Sequence, residues 1–422
     1  MNRRNFIQTT ALGAAATLSP FHILAKESKL KVGVIGTGWY GMVLVKAGLK
    51  SDIMEVAAIA DADENHLTES AEETAKLQGV KPKTYKHYQD LLQQKNLDAI
   101  FIATPPHWHA LQFIAACEAG LPIYCEKPLS YDIKEGQAMM EAADKAGNIV
   151  QIGFQRRQSD AFKTVQEYIK SGNAGTIRQV EAQIHYAAKI GDTTIQEPPA
   201  SLDWEQWCGP APKLPYRPSI GHLSWRLEKE YGNGHLVDWG IHHIDTTRMI
   251  LGLGLPKNLS AFGGIYKLKD QITTPDALTA NFGFEKVPVT WNHRLWGPSE
   301  INPAYKNSIV FYGDDATIIA SDHKMVIRPN VKDAEEEVRD IRTNDMQERH
   351  VAEFLKAVQN QDAGKISCPV KEGYNSTASV QLAMIAYEGN EKISYENDQL
   401  QAKNDVQGLL KREYRGDYKH PK

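Results

Sequence analysis

Short, unbroken apolar runs alternate with amphipathic stretches from Leu30 to Gly153. Val32, Val34 and Ile35 make the first run. Glu55–Ala60, Ala99–Ala103, Pro122–Cys125 and Ile149–Gly153 make the next four. Between them, apolar positions recur at helical spacing: Leu44, Val45 and Leu49, then Glu64–Lys76, a short Tyr85–Leu92, an alanine-rich stretch to Gly120, and Ile133–Gly147. Strands buried on both faces read as continuous apolar runs, so this pattern predicts an α/β fold, a doubly wound parallel sheet over residues 30–153. After Gly153 one more helix pattern, Ala161–Ser171, is followed by alternating segments at Arg178–Ala188, Leu259–Tyr266, Leu278–Phe284, Ser308–Tyr312 and Met325–Arg328. Strands without helices between them predict an antiparallel sheet in a second α+β domain, residues 154–422, with one face solvated or covered by a partner.

The first run breaks into Gly36-Thr37-Gly38-Trp39-Tyr40-Gly41 and a helix follows. In such a loop the first glycine allows a tight turn, the second lets backbone approach a pyrophosphate, and the third lets helix pack on strand. The free N–H groups of the helix start then face the phosphates. Asp61 ends the second run, 20 residues past Gly41, where a carboxylate accepts from the adenosine ribose hydroxyls. It would repel a 2′-phosphate, so NAD is expected rather than NADP. Ligands of doubly wound sheets sit at the carboxyl ends of strands. Gly36, Asp61, Thr104 and Lys127 all fall at such ends.

At 422 residues the chain exceeds one ordinary core, which agrees with two domains. A net charge of −4 excludes electrostatic capture of nucleic acid or an anionic membrane, and no apolar stretch is long enough for a membrane span. Cys117, Cys125, Cys208 and Cys368 are too scattered for a disulfide framework and contain no CxxC pair. Arg3 and Arg4 precede Asn5, Phe6 and Ile7 and an Ala/Leu/Thr-rich stretch to Ala25. That order reads as a twin-arginine export signal over residues 1–25, and so as a periplasmic address; an unstructured terminus is the alternative. Ile23 is an imperfect residue for cleavage after Ala25.

The stretches VGVIGTGWYG, TPPHWHA, YCEKPLS, GFQRR, LDWEQWCGPAP and DWGIHHID, with the weaker tail HVAEFLKAV…VKEGYNSTASVQLAMIAY, resemble the glucose–fructose oxidoreductase, inositol dehydrogenase and MocA family. The resemblance runs from residue 32 to about 390. It implies a Rossmann domain followed by a domain with a large open sheet, and a homodimer or homotetramer formed through that sheet. It also implies NAD held by Gly36, Thr37, Gly38, Trp39, Tyr40, Gly41, Asp61, Thr104, Pro105, His109, Glu126 and Lys127. His107 and His109 are expected to line the cofactor cleft, with a helix-start role as the alternative.

Lys127 in Glu126-Lys127-Pro128 is implied to stand beside the nicotinamide ribose and the substrate hydroxyl, where a buried ammonium can exchange protons. Asp238 and His242 are spaced i, i+4 in a helical pattern, which puts them on one face. The resemblance makes Lys127, Asp238 and His242 the catalytic set, with His242 the general base and Asp238 its orienting and substrate-binding acid. His235, Asp238, His242, His243 and Asp245 could also be read as a metal site, but the family implies no metal. His243 points away from His242 and is expected to be structural or at the pocket rim. Substrate contacts are expected from Arg156, Trp225, Arg226, Asp238 and His242 within an aromatic-rich stretch, where Trp204 and Trp207 are expected to be core.

The expected activity is oxidation of a hydroxyl of a small carbohydrate, either a sugar, a glycoside (at C3, giving a 3-keto sugar) or a polyol. NAD would be bound tightly and loaded before export. The alternatives are an NAD-assisted glycoside hydrolase or lyase acting through transient C3 oxidation, and a non-catalytic NAD- and sugar-binding protein.

Overall fold

The protein is described here from a computed structural model over residues 29–221, 224–297 and 307–422; the expected export signal lies outside them. Residues 30–153 alternate strand and helix. They run β1 (Leu30–Ile35), α1 (Trp39–Lys50), β2 (Met54–Ala60), α2 (Glu64–Gln78), β3 (Lys83–Tyr85), α3 (Tyr88–Leu92), β4 (Ala99–Ile102), α4 (Pro106–Glu118), β5 (Ile123–Glu126), α5 (Ile133–Ala146) and β6 (Val150–Gly153). The stretch expected as one helix at Tyr85–Leu92 divides, because residues 83–85 pair with Ala58–Ala60 before the chain turns helical. Polar side chains start the longer helices: Asp63 accepts from Asn65 N at the head of α2, and Asp132 from Glu135 N at the head of α5. Gly79 and Gly147, both at positive φ, end these two helices.

The six strands are all parallel, in the order β3-β2-β1-β4-β5-β6. The order reverses between β1 and β4, and it is at such a reversal that a doubly wound sheet opens a crevice for ligands.

The chain continues through α6 (Asp160–Lys170), β7 (Ile177–His185), α7 (Trp204–Cys208), α8 (Ile241–Leu251), β8 (Asn258–Gly264), β9 (Ala277–Gly283), β10 (Pro288–Arg294), β11 (Asn307–Gly313), β12 (Ala316–Ser321), β13 (Lys324–Pro329) and β14 (Glu337–Asp340). It ends with α9 (Met346–Asn360), α10 (Val370–Glu388), β15 (Ile393–Glu396) and β16 (Gln399–Gln401). Ten strands form one sheet, β14-β13-β12-β11-β7-β10-β9-β8-β15-β16, antiparallel except where β10 runs parallel to β7. One face packs on α6, α8 and α10; the other carries Thr279 bonded to Asn292 and Thr290 bonded to Asn281.

Two later segments return to the first domain. Val351, Phe354 and Leu355 of α9 pack with Val32, Val34, Phe101 and Tyr124. Residues 201–203 pair with the turn after β2: Glu64 N donates to Ser201 O, and Asp203 N to Ala62 O. That pairing brings an aromatic cluster, with Trp204 stacked on Trp207 at 4.6 Å, against the mouth of the parallel sheet.

Candidate active site

Each glycine of the loop after β1 meets a different constraint. Gly36 has φ +87°, and a side chain there would press on the backbone of Thr104. One at Gly41 would collide with the carbonyl of Gly36, so this residue seats α1 against the loop. At Gly38 a Cβ would meet nothing nearer than His66 at 3.7 Å, which leaves room for a ligand backbone. Asp61, at the end of β2, accepts from Thr37 N at 2.6 Å and from Asp63 N at 3.0 Å, fixing the loop and the strand end to each other. An open N-terminal turn beside a carboxylate suits the pyrophosphate and ribose of a dinucleotide.

These groups border a cleft of about 360 Å³ whose walls include Gly36, Gly38, Trp39, Tyr40, Asp61, Thr104, Pro105, Trp225 and Arg226. Of the residues expected to hold NAD, Thr37, Gly41, His109, Glu126 and Lys127 are not in its wall. The cleft also takes His66, Lys86, His87, Tyr88, Trp108 and Tyr418, which the sequence reading did not assign to the cofactor. Trp108 stands in a motif already singled out, between two histidines; Tyr418 had no signal, because a C-terminal tail carries no periodicity.

Lys127 follows β5, and its peptide bond to Pro128 is cis. Its ammonium donates to Asp238 O at 2.8 Å and Asp238 Oδ1 at 2.9 Å, with both side chains largely buried. Arg226 reaches the same Oδ1 from 3.3 Å and lies 4.4 Å over the Trp225 ring, so it joins the cleft to the Lys127–Asp238 pair. Burial pushes the Asp238 carboxyl up, but the Lys127 and Arg226 cations outweigh it and hold the group below its ordinary range. Burial, reinforced by the Lys127 and Arg156 cations, holds His242 neutral, its pKa well below the usual imidazole value. The Nδ1 of His242 is buried without a hydrogen-bond partner among the described residues. Glu126 is pushed up to about 8 by burial, against the opposing pull of Lys127 and Arg226, and its Oε2 accepts from Lys127 N.

Several expectations need correcting. Asp238 gives its carboxylate to Lys127 and Arg226, and no hydrogen bond joins it to His242 among the described residues. The reason is local: Leu236–Gly240 is a wide π-type turn, and only Ile241–Leu251 is α-helical, so the regular i, i+4 geometry does not hold across it. His107 and His109 do not line the cleft. Both are fully buried; His107 bonds Trp207 O, and His109 bridges Thr104 O and Pro128 O, tying together the ends of β4 and β5. The five residues that could be read as a metal site disperse to separate surroundings. Asp245 pairs with Arg157, His243 meets Arg156 at 3.2 Å, and His235 packs against Tyr186 and His293. Arg156 is buried 5.8 Å from the Trp239 ring, which faces His242 edge-on.

Residues 30–154 match the family described as "Oxidoreductase family, NAD-binding Rossmann fold", and residues 162–319 match the "GFO/IDH/MocA C-terminal domain". The chain is similar to the rhizopine catabolism protein MocA of Rhizobium meliloti, 26% identical over 53% of this chain and 58% of that one. It is 38% identical to a glycosyl hydrolase family 109 protein of Stenotrophomonas maltophilia, over 30% of this chain and 29% of that one. It thus spans less than two thirds of the length of either relative. A solved levoglucosan dehydrogenase in complex with NADH and levoglucosan superimposes with a TM-score of 0.68 over 87% of this chain and 99% of that one. At 18% identity, that likeness is one of fold.

Proposed function

This chain belongs to the Gfo/Idh/MocA oxidoreductase family, with its NAD-binding Rossmann domain, and from that premise we propose that it oxidises a hydroxyl of a sugar, glycoside or polyol. One observation carries the reading: the Lys127 ammonium, clamped by Asp238 beside a buried neutral His242, is joined by Arg226 to the dinucleotide cleft. NAD, when bound, supplies the hydride acceptor, and the residues of this chain bind and deprotonate the alcohol. Lys127 donates to the alcohol oxygen and stabilises it as the proton leaves. His242, uncharged at neutral pH, takes that proton on its imidazole ring. Asp238 keeps the ammonium in place, and Trp225 and Trp239 offer faces to the C–H side of a sugar ring.

The Arg3-Arg4 segment supports export to the periplasm with NAD loaded beforehand, and C3 of a glycoside is the carbon this reading favours. Phe262 is 74% exposed on β8. Pairing of two or four copies through that sheet would cover it. The likeness to a glycosyl hydrolase family 109 protein favours a second reading, in which the same oxidation is transient and leads to net glycoside cleavage.

The test uses protein purified without added nucleotide. Its native mass is measured, any released dinucleotide is identified, and nicotinamide absorbance is followed as glycosides are added to the intact enzyme. A multimer whose bound NAD is reduced stoichiometrically by one glycoside is the expected result. Free sugar and aglycone formed in many turnovers without an acceptor would select the cleavage reading. No dinucleotide, and no absorbance change when NAD is supplied, would discard both.

A further inference from the structure

We propose that the C-terminal strap, residues 411–422, is a working part of the dinucleotide site, with Tyr418 closing the adenosine end of the cleft. This rests on the reading that NAD occupies that cleft. After β16 the chain leaves the second sheet and crosses back to the first domain. Arg412 N donates to Asp132 Oδ2 at 3.0 Å, and its guanidinium lies 4.1 Å over the Tyr131 ring. Tyr414 OH donates to Glu135 at 2.8 Å. Arg415 then grips the segment after α7: its guanidinium donates to Ala211 O and Gly209 O and pairs with Glu205, and its backbone N–H donates to Pro210 O. Five residues on, His420 Nε2 meets Asp132 Oδ2 at 3.0 Å, with both side chains about 5% exposed.

The strap is therefore pinned on both sides of Tyr418, and that residue is the one placed in the wall of the cleft. The Tyr418 ring stands edge-on to Trp108 at 5.5 Å and 89°, and Trp108 is edge-on to Tyr88 at 5.8 Å. Trp108 is itself fixed, its indole N–H donating to Trp207 O at 3.0 Å. These rings share the cleft with Asp61, the carboxylate positioned for the adenosine ribose. Aromatic walls suit a flat purine, and a wall contributed by a pinned tail opposes ligand escape more than entry. The strap thereby retains the dinucleotide between turnovers, as a redox group that is recycled in place requires.

The experiment compares the full chain with Tyr418→Ala, Tyr418→Phe and a chain ending at Gly416, loading each with NADH and timing its release by fluorescence after dilution into excess NAD. Release about tenfold faster from Tyr418→Ala and from the shortened chain is expected. Tyr418→Phe should keep the slow rate, because its ring still closes the wall. A solvent-contacting point substitution keeps the test intact if the shortened chain fails to fold. Release as slow from Tyr418→Ala as from the full chain would overturn the proposal, as would release from Tyr418→Phe as fast as from Tyr418→Ala. If the full chain takes up no NADH at all, the reading of the cleft fails, and the strap proposal with it.

Discussion

At the scale of single residues, the site turns on two buried groups held in their uncharged forms. Burial pushes Glu126 up to about 8, so it carries its proton at neutral pH, and the same burial with Lys127 and Arg156 nearby keeps His242 free of one. A base with a lowered pKa is disabled only when the pH falls well below 6.5. The acid limb of kcat for alcohol oxidation should therefore lie below pH 6.5, and His242→Asn should lower kcat by about 10²–10⁴-fold with little change in melting temperature. A pH–rate profile of both proteins checks this; an acid limb at 6.5 or above, or an Asn variant as active as the parent, removes His242 from the role of base. The placement of Lys127 after a strand and of His242 on a helix was legible in the sequence, because the local patterns around them mark those elements. The Asp238 partnership with Arg226 was not, because Arg226 lies twelve residues away on a separate turn.

At the scale of elements, a buried ion-pair network sets how α8 is mounted. Arg157, in the turn after β6, donates to both oxygens of Asp245 on α8, and Ser376 of α10 donates to the same carboxylate at 2.7 Å. Arg248 reaches Ser376 at 2.6 Å and Glu372 at 3.1 Å, closing the network between α8 and α10. Removing one member of a buried pair leaves its partner charged and unpaired. Asp245→Ala should cost about 3–5 kcal/mol of unfolding free energy in a denaturant titration. A loss under about 1 kcal/mol would mean that Arg157 finds water or another acceptor, and that the network does not hold α8. Asp245 stood in the sequence as one of several candidate ligands in DWGIHHID. Its structural employment depends on residues 88 and 131 positions away, which no local pattern links.

At the scale of the whole molecule, seven histidines among the described residues are buried with lowered pKa values: His107 at about 3, His293 and His350 at about 4, and His109, His235, His242 and His243 below the usual value. Burial is the first cause in each case. Their unfolded forms bind protons near pH 6.5 while the folded forms do not, so stability is complete above 6.5 and is lost as the pH falls below it. Each fully titrated histidine contributes about 1.4 kcal/mol per pH unit in that window. Glu126 and Glu135, both raised to about 8, act in the opposite sense: their contribution is complete below 4.5 and is lost as the pH rises toward 8. Glu228, also raised by burial, acts in the same sense, but seven groups outweigh three, so the melting temperature should fall between pH 7.5 and 5. A melting temperature equal or higher at pH 5 would show that the buried rings gain protons without unfolding.

Local periodicity and short motifs by themselves determined the parallel sheet, the glycine loop, the Asp61 strand end and the placement of Lys127 after a strand and His242 on a helix, because each depends on residues close together in the chain. The tertiary structure alone decided the return of α9 to the first domain, the folding of residues 201–203 onto the turn after β2, the burial of His107 and His109, the π-type turn at Asp238 and the arrival of Tyr418 in the cleft. Those outcomes depend on which distant surfaces bury one another. A side chain's neighbours across the fold are set by packing and hydrogen-bond satisfaction summed over the whole molecule, which leaves no mark on the spacing of residues along the chain.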